Sequence, residues 1–136
     1  MDYAQISKDT ISLLHKSYNS LDQSPLNQGL RSIIELRVSQ LNGCAYCCEL
    51  HSNGARKQQV PQKKLDALPA WETSALFSDI EKIALDWAEC LTLSCKDSES
   101  IKPELTKYFS DREVVDLTAC VSLMNALNRM AISLKD

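Results

Sequence analysis

Apolar residues recur along this chain at the three- and four-residue spacing that places side chains on one face of a helix. The first predicted helix covers residues 7–19, and its apolar stripe consists of Ile6, Leu13, Leu14 and Tyr18. Because serine caps helices and proline suits their first turn, Ser24 and Pro25 predict a second helix, over residues 25–41. Its dense apolar positions predict that this helix is largely buried.

Two serines are each followed three residues later by glutamate, the capping box that opens many helices. They are Ser78 with Glu81, which predicts a helix over residues 79–93, and Ser110 with Glu113, which predicts the last helix, over residues 111–133. The remaining predicted elements are a helix over 43–58, a short turn over 61–68, a polar loop over 96–100 and a short helix over 103–109. No strand-like alternation is visible, so the predicted class is all-α, a compact bundle of six or seven helices.

Composition and charge narrow the functional classes. The 136 residues suit one domain, residues 1–136, and 44% hydrophobic with 24% charged residues is ordinary for a soluble globular protein. A net charge of −3 without a Lys/Arg run argues against nucleic-acid binding. No apolar stretch approaches the ~18 residues of a transmembrane helix, and no signal peptide is recognised. We therefore expect a cytoplasmic protein that does not bind membranes.

The second and the last predicted helices look apolar on more than one side. A helix that is apolar beyond one stripe needs a second buried face, and a subunit interface supplies one. We therefore expect a homo-oligomer held together by helices.

Candidate chemistry concentrates in the stretch Gly43-Cys44-Ala45-Tyr46-Cys47-Cys48-Glu49-Leu50-His51. With Asn42 as the N-cap, a helix is predicted to start near Gly43. The spacings i, i+3 and i, i+4 then place Cys44, Cys47 and His51 on one helix face. In the cytoplasm such a pair of thiols is typical of catalytic or metal-binding chemistry and not of a structural disulfide.

Two other interpretations of the cysteines compete with a catalytic pair. Zinc would need a second ligand pair to complete a tetrahedron, and none is visible, so no metal is expected. The second is that the cysteines are core residues or an inert disulfide. Free cysteine often behaves as a small buried hydrophobe, which suits Cys48, Cys90, Cys95 and Cys120, each alone in an apolar helical context. This interpretation suits Cys44 and Cys47 poorly, because His51 lies on the same helix face. The other histidine, His15, is interpreted as a surface or half-buried structural residue.

Residues 36–47 with His51, then residues 67–73, 77–78 and 113–129, resemble the alkyl hydroperoxidase D family within the carboxymuconolactone decarboxylase-like superfamily. The resemblance covers nearly the whole chain, and the Cys-x-x-Cys-x-x-x-His core is its specific part. It implies an all-helical fold that assembles into trimers or hexamers. It also implies a thiol-dependent peroxidase or disulfide reductase in antioxidant defence, with no cofactor.

The resemblance assigns roles to three residues. Cys47 is oxidised by a peroxide to a sulfenic acid, Cys44 condenses with it to a disulfide, and an external dithiol or protein reductant restores the pair. His51 takes part in a proton relay. The spacing agrees in part, since Cys47 lies one turn from His51, whereas the helix N-terminus favours Cys44 as the thiolate.

The chain departs from the family at the acid of this relay. The family's glutamate lies twelve residues before the first cysteine, and Ser32 stands at that position. Glu35, one turn nearer the thiols, is a candidate substitute, but it could equally be the ion-pair partner of Arg31 or Arg37. Tyr46 also stands where a member of the family has a second histidine.

Two further functions stay open. One is the lactone-acid decarboxylation that names the superfamily, which does not require thiols. The other is a non-catalytic, redox-sensing oligomer. We favour a cytoplasmic, homo-oligomeric dithiol oxidoreductase that turns over peroxide.

Overall fold

The computed structural model describes residues 1–135, and all regular structure in that range is helical. The α-helices are α1 (Tyr3–Ile6), α2 (Lys8–Ser20), α3 (Gln28–Asn42), α4 (Ala45–Lys57), α5 (Gln62–Ala67), α6 (Asp79–Leu93), α7 (Ser98–Leu105) and α8 (Asp111–Leu134), with 3₁₀ turns at Leu21–Gln23 and Leu68–Thr73. The all-α prediction is confirmed. The helix number is higher than predicted because α1 is separated from α2 by a non-helical Ser7.

Helix α3 is the centre of the fold and packs against α4, α6 and α8. Its apolar side chains are buried on all sides within the single chain, including Ile33, Ile34, Leu36 and Val38. The predicted burial of this helix is therefore correct. Most of the apolar surface of α3 is therefore used in packing within the chain.

The start of α3 differs from the prediction. Asn27 is the N-cap, and its side chain accepts a hydrogen bond from the N–H of Leu30 at 2.9 Å. Ser24 donates its hydroxyl to Asp116 on α8, and its oxygen accepts from the N–H of Leu26 at 3.1 Å, before the helix begins. Residues 24–26 consequently form a connection before the helix.

Both capping boxes are present, at Ser78 with Glu81 and at Ser110 with Glu113. Helix α6 has the predicted bounds. The predicted start at Pro103 is wrong, because α7 already begins at Ser98, where the carbonyl of Asp97 accepts the first backbone bonds. Residues 98–100 of the predicted polar loop thus form the first turn of α7, and residues 96–97 precede it.

Helix α8 is, within residues 1–135, the one helix long and apolar enough by length and composition to cross a membrane. A core helix of a soluble protein passes the same test, so this one helix is weak evidence for a membrane span. Polar residues of α8 are bonded inside the fold, as where Asn128 donates to Ser39 on α3 at 3.2 Å. Only 28% of its most apolar window is buried, and Val115 and Ile132 are exposed.

Candidate functional site

The thiol pair lies at the junction of α3 and α4. Gly43 ends α3 in the left-handed conformation, with φ of 69°, which glycine adopts without steric cost. Cys44 follows in extended conformation as the N-cap of α4, and its sulfur accepts a hydrogen bond from the N–H of Cys47 at 3.3 Å. The helix therefore begins at Ala45, two residues later than predicted. Asn42, predicted as the N-cap, ends α3 and donates instead to Asn125 and Asn128 on α8.

Cys44 and Cys47 form a disulfide, with their Cα atoms 5.2 Å apart. Both residues are buried, at 3% and 5% exposure. The pairing expected from the resemblance is thus the one that the fold brings together. Because Cys44 is a cap and Cys47 a first-turn residue, the bridge closes within one turn of backbone.

Glu35 lies beside His51, across the contact between α3 and α4. The Nδ1 atom of His51 is 3.2 Å from Oε2 of Glu35, and both residues are buried. The same carboxylate also pairs with Arg31, whose Nε lies 2.8 Å from Oε1. Glu35 therefore contacts His51 and pairs with Arg31 at the same time. Arg37 is not part of this cluster.

Arg37 and Ser32, the other two residues considered at this position, make their contacts away from the thiols. Arg37 pairs with Glu89 on α6, at 2.8 Å between Nε and Oε1. Ser32 donates its hydroxyl to the carbonyl of Gln28 at 2.9 Å, one turn back along its own helix. Ser32 therefore makes its side-chain bond on α3, and Glu35 is the acid that contacts the imidazole.

The side chains of Tyr18 and Arg31 hold Glu35 in place. The hydroxyl of Tyr18 on α2 donates a short hydrogen bond to Oε2, the oxygen that faces His51. Arg31 is 4% exposed and also donates to Asp22 at 2.7 Å. Burial lowers the pKa of Arg31, but the charge of Glu35 and the bond to Asp22 outweigh it, so the net pKa is raised. The arginine stays charged against the carboxylate.

A cavity of about 460 Å³ opens beside the thiol pair. Cys47 and His51 lie in its wall, together with the apolar side chains of Leu50, Met124 and Leu127. Lys135 and Tyr46 also line it, with the Nζ of Lys135 3.2 Å from the centre of the Tyr46 ring. The cavity is large enough to hold an organic molecule of moderate size beside Cys47.

Two residues of this site carried no signal in the sequence. Tyr18 was read as part of an apolar stripe, because its bond to Glu35 depends on how α2 crosses α3. His15 was read as structural, yet it lies in the wall of the cavity with Cys47. Helical spacing places residues on a face of one helix and does not show which helix that face meets.

Cys90 and Cys95 form a second disulfide, with their Cα atoms 4.7 Å apart. Cys90 is buried and Cys95 is exposed, so of the expected core residues or inert disulfide these two are the disulfide and do not stand alone. Helix α6 ends at Leu93, Ser94 turns the chain in the left-handed conformation, and the N–H of Cys95 donates to the carbonyl of Cys90 at 2.9 Å. That turn folds Cys95 back onto the last turn of the helix.

Cys48 and Cys120 are free thiols. Burial raises the pKa of both. At Cys120 the nearby charge of Glu35 raises it further. Both thiols are held in the unreactive, protonated form, as expected for packing residues.

Digestion of the oxidised protein with trypsin tests this cysteine pattern, because Arg and Lys separate the groups of cysteines. We expect the peptide of residues 38–56 to lose two hydrogens and to carry one alkylated thiol, at Cys48. The peptide of residues 83–96 should lose two hydrogens with no alkylation, and that of residues 113–129 should be alkylated once. Mass spectrometry that instead finds two of these peptides linked to each other contradicts the pairing.

Residues 12–89 match the model of the carboxymuconolactone decarboxylase family. An uncharacterised Bacillus subtilis protein, YdfG, is 29% identical over 136 residues, which cover 98% of this chain and 92% of that protein. More than half of the chain therefore matches the family, and the likeness to this relative extends over nearly its full length.

Solved structures resemble the whole fold. A protein of unknown function from Agrobacterium tumefaciens, described as a candidate antioxidant defence protein AhpD, superposes with a TM-score of 0.93 at 25% identity, over 100% of this chain and 94% of that one. An uncharacterised peroxidase-related protein from Ralstonia eutropha, described as an alkylhydroperoxidase AhpD core, has a TM-score of 0.81 at 21% identity, over 96% and 71%. At the latter identity the likeness shows the fold alone.

Proposed function

The chain belongs to the carboxymuconolactone decarboxylase family as an alkyl hydroperoxidase D-like member, and we propose that it is a thiol-dependent peroxidase that acts through Cys44 and Cys47. One observation carries the proposal: Cys47, which is bonded to Cys44, and His51, whose ring contacts Glu35, line the same cavity. A purely structural bridge needs neither an imidazole nor a buried carboxylate beside it.

The proposed cycle starts from the reduced pair. Cys47 gives its proton to His51, and the thiolate attacks one oxygen of the peroxide. The O–O bond breaks, the alcohol leaves with the proton from His51, and Cys47 becomes a sulfenic acid. The sulfur of Cys44 then attacks that of Cys47, the disulfide forms and water is released. An external dithiol or protein reductant returns two electrons and two protons.

The positions of the side chains support these roles. Because Nδ1 of His51 faces Glu35, the other ring nitrogen, Nε2, remains for Cys47 one turn earlier on α4. A carboxylate on Nδ1 orients the ring and stabilises its cation, which makes the imidazole a stronger base. This supports Cys47 as the attacking thiol and leaves Cys44 as the resolving one.

The cavity supports a peroxide that carries an organic group. Its wall combines the sulfur of Cys47 with apolar side chains from α4 and α8, among them Leu50 and Leu127. An alkyl or aryl group would bury apolar surface there while its O–O bond lies against the thiol. We place the reaction in the cytoplasm, where dithiol reductants are available.

We further propose that the working form is a homo-oligomer, a trimer or a hexamer. Helix α8 supports this, because most of its apolar window is not buried within the single chain. Light scattering at micromolar concentration should give three or six times 15.2 kDa, the mass of one chain. A mass of one chain would refute the proposal.

Val115→Lys, on the exposed side of α8, tests whether this helix forms the interface, since a buried charge there would dissociate the oligomer.

Steady-state consumption of cumene hydroperoxide with dithiothreitol tests the proposed function. Repeated turnover that depends on both substrates supports it. A single round of oxidation that stops with the disulfide formed supports the redox sensor, and loss of carbon dioxide from a lactone acid without peroxide consumption supports the lyase. Hydrogen peroxide in place of the organic peroxide shows whether the apolar cavity contributes to the rate.

A further inference from the structure

The carboxylate of Glu35 has three partners, and only one of them belongs to the thiol helix. His51 and Tyr18 both contact Oε2, while Arg31 contacts Oε1. Since His51 and the phenol share one oxygen, a change at Tyr18 alters the charge that the imidazole meets. Tyr18 lies on α2 and also lines the cavity beside Cys47.

Arg31 fixes the phenol as well as the carboxylate. Its guanidinium lies over the Tyr18 ring, 4.8 Å from the centroid, and its Nη2 donates to the backbone carbonyl of Tyr18 at 3.2 Å. The Tyr18 ring also meets the His51 ring edge-on, with centroids 6.5 Å apart. The position of the ring is thus set by contacts that do not involve its hydroxyl.

We propose that Tyr18 is a positioning residue of the relay, whose hydroxyl holds Glu35 against His51 and takes up part of the charge of the carboxylate. This inference rests on the proposed function. His51 can accept the proton of Cys47 only while its ring is neutral, and an unshared carboxylate favours the charged ring. By donating to the same oxygen, Tyr18 limits how strongly Glu35 retains a proton on the imidazole.

The phenol is suited to act as a permanent donor. Burial raises the pKa of Tyr18 well above its usual range, and the charge of Glu35 raises it further. The hydroxyl therefore keeps its proton at any pH at which the protein works, so it does not serve as a base.

Other titratable or charged groups also lie around Tyr18 and His51, and they are the same in both proteins. They are His15 on α2, Arg31 on α3 with Asp22 beside it, Cys120 on α8, and Met1, Asp2 and Lys135 in the cavity wall. All of them are retained when Tyr18 is replaced by phenylalanine. A difference between the two proteins in the titration of His51 then reports the hydroxyl alone.

The test is Tyr18→Phe, which keeps the ring and its contact with Arg31 and removes only the oxygen. His51 and His15 are the two histidines of the chain, so both ring signals can be assigned by NMR. In the oxidised protein we expect the titration midpoint of His51 to move to higher pH by clearly more than that of His15. Tyr108→Phe, at a half-exposed tyrosine away from the cavity, is the matched control and should move neither.

Turnover supplies the second readout. If His51 must be neutral to accept the proton, Tyr18→Phe should turn over roughly tenfold more slowly on the acid limb of the pH–rate profile and approach the wild-type rate on the alkaline side. In a Glu35→Gln background the same replacement should have no such effect, because the phenol acts through the carboxylate. An effect of equal size in both backgrounds contradicts the proposal.

The inference and the proposed function can fail separately. An unchanged His51 midpoint in a folded Tyr18→Phe protein overturns the role of Tyr18, whatever the turnover. A shifted midpoint in a protein that consumes no peroxide overturns the peroxidase and leaves the positioning role intact. If Tyr18→Phe does not fold, 3-fluorotyrosine keeps the hydroxyl and makes it a stronger donor. The midpoint must then move to lower pH, and any other result overturns the inference.

Discussion

Cys47→Ser should reduce peroxide consumption to the uncatalysed background. The serine hydroxyl is about the size of the thiol, but it is not ionised at neutral pH and is not oxidised by peroxide. The residue is buried in the wall of the cavity beside His51, so no other thiol of α4 occupies its place. Coupled measurement of peroxide loss and dithiol oxidation checks this result.

Two other variants separate the roles within the pair. Cys44→Ser should still be oxidised once, and the sulfenic acid then persists on Cys47 long enough to be trapped by dimedone. Cys48→Ser is the matched control, because Cys48 adjoins Cys47 but is a free, half-buried thiol whose pKa is raised by burial. Its turnover should equal that of the wild type. If Cys44→Ser is silent to dimedone and Cys47→Ser is labelled, the two roles are reversed.

Local sequence signals located the elements whose ends are set by local bonds. Helix α6 has the predicted bounds because Ser78 and Glu81 satisfy each other within one turn. The start of α3 was misplaced because a second capping residue, Asn27, follows Ser24, and its side chain is the one that accepts from the N–H of Leu30. Where two capping residues lie close together, the sequence does not show which of them begins the helix.

The residues of the candidate site also divide into those placed by local spacing and those placed by contacts between helices. Spacing alone brings Cys44, Cys47 and His51 together, because they lie within two turns of one helix. The choice between Ser32 and Glu35 depends on how α3 crosses α4, which no spacing rule gives. The bridge between Cys90 and Cys95 was missed for a similar reason, since it depends on a left-handed Ser94 that turns the chain back.

Glu35→Gln should lower turnover by roughly 100-fold, the usual contribution of a general base and its support. The amide keeps the shape of the carboxylate but carries no charge, so it neither stabilises the cation of His51 nor neutralises Arg31. Turnover at saturating peroxide, followed together with the rate of Cys47 alkylation, measures the loss. Both rates should fall in parallel, because each depends on removal of the Cys47 proton.

The same replacement should also lower the free energy of unfolding by about 3 kcal/mol, since it leaves a buried guanidinium without its buried anion. Asp22 remains as a partner of Arg31, but its side chain is 64% exposed and screened by water. Glu89→Gln is the matched control, because Glu89 pairs with Arg37 on α3 as Glu35 pairs with Arg31, yet does not contact His51. It should lower stability without lowering turnover below the wild-type rate. If the two variants lose stability and keep the same turnover, Glu35 is only the structural partner of Arg31, and His51 works without an acid.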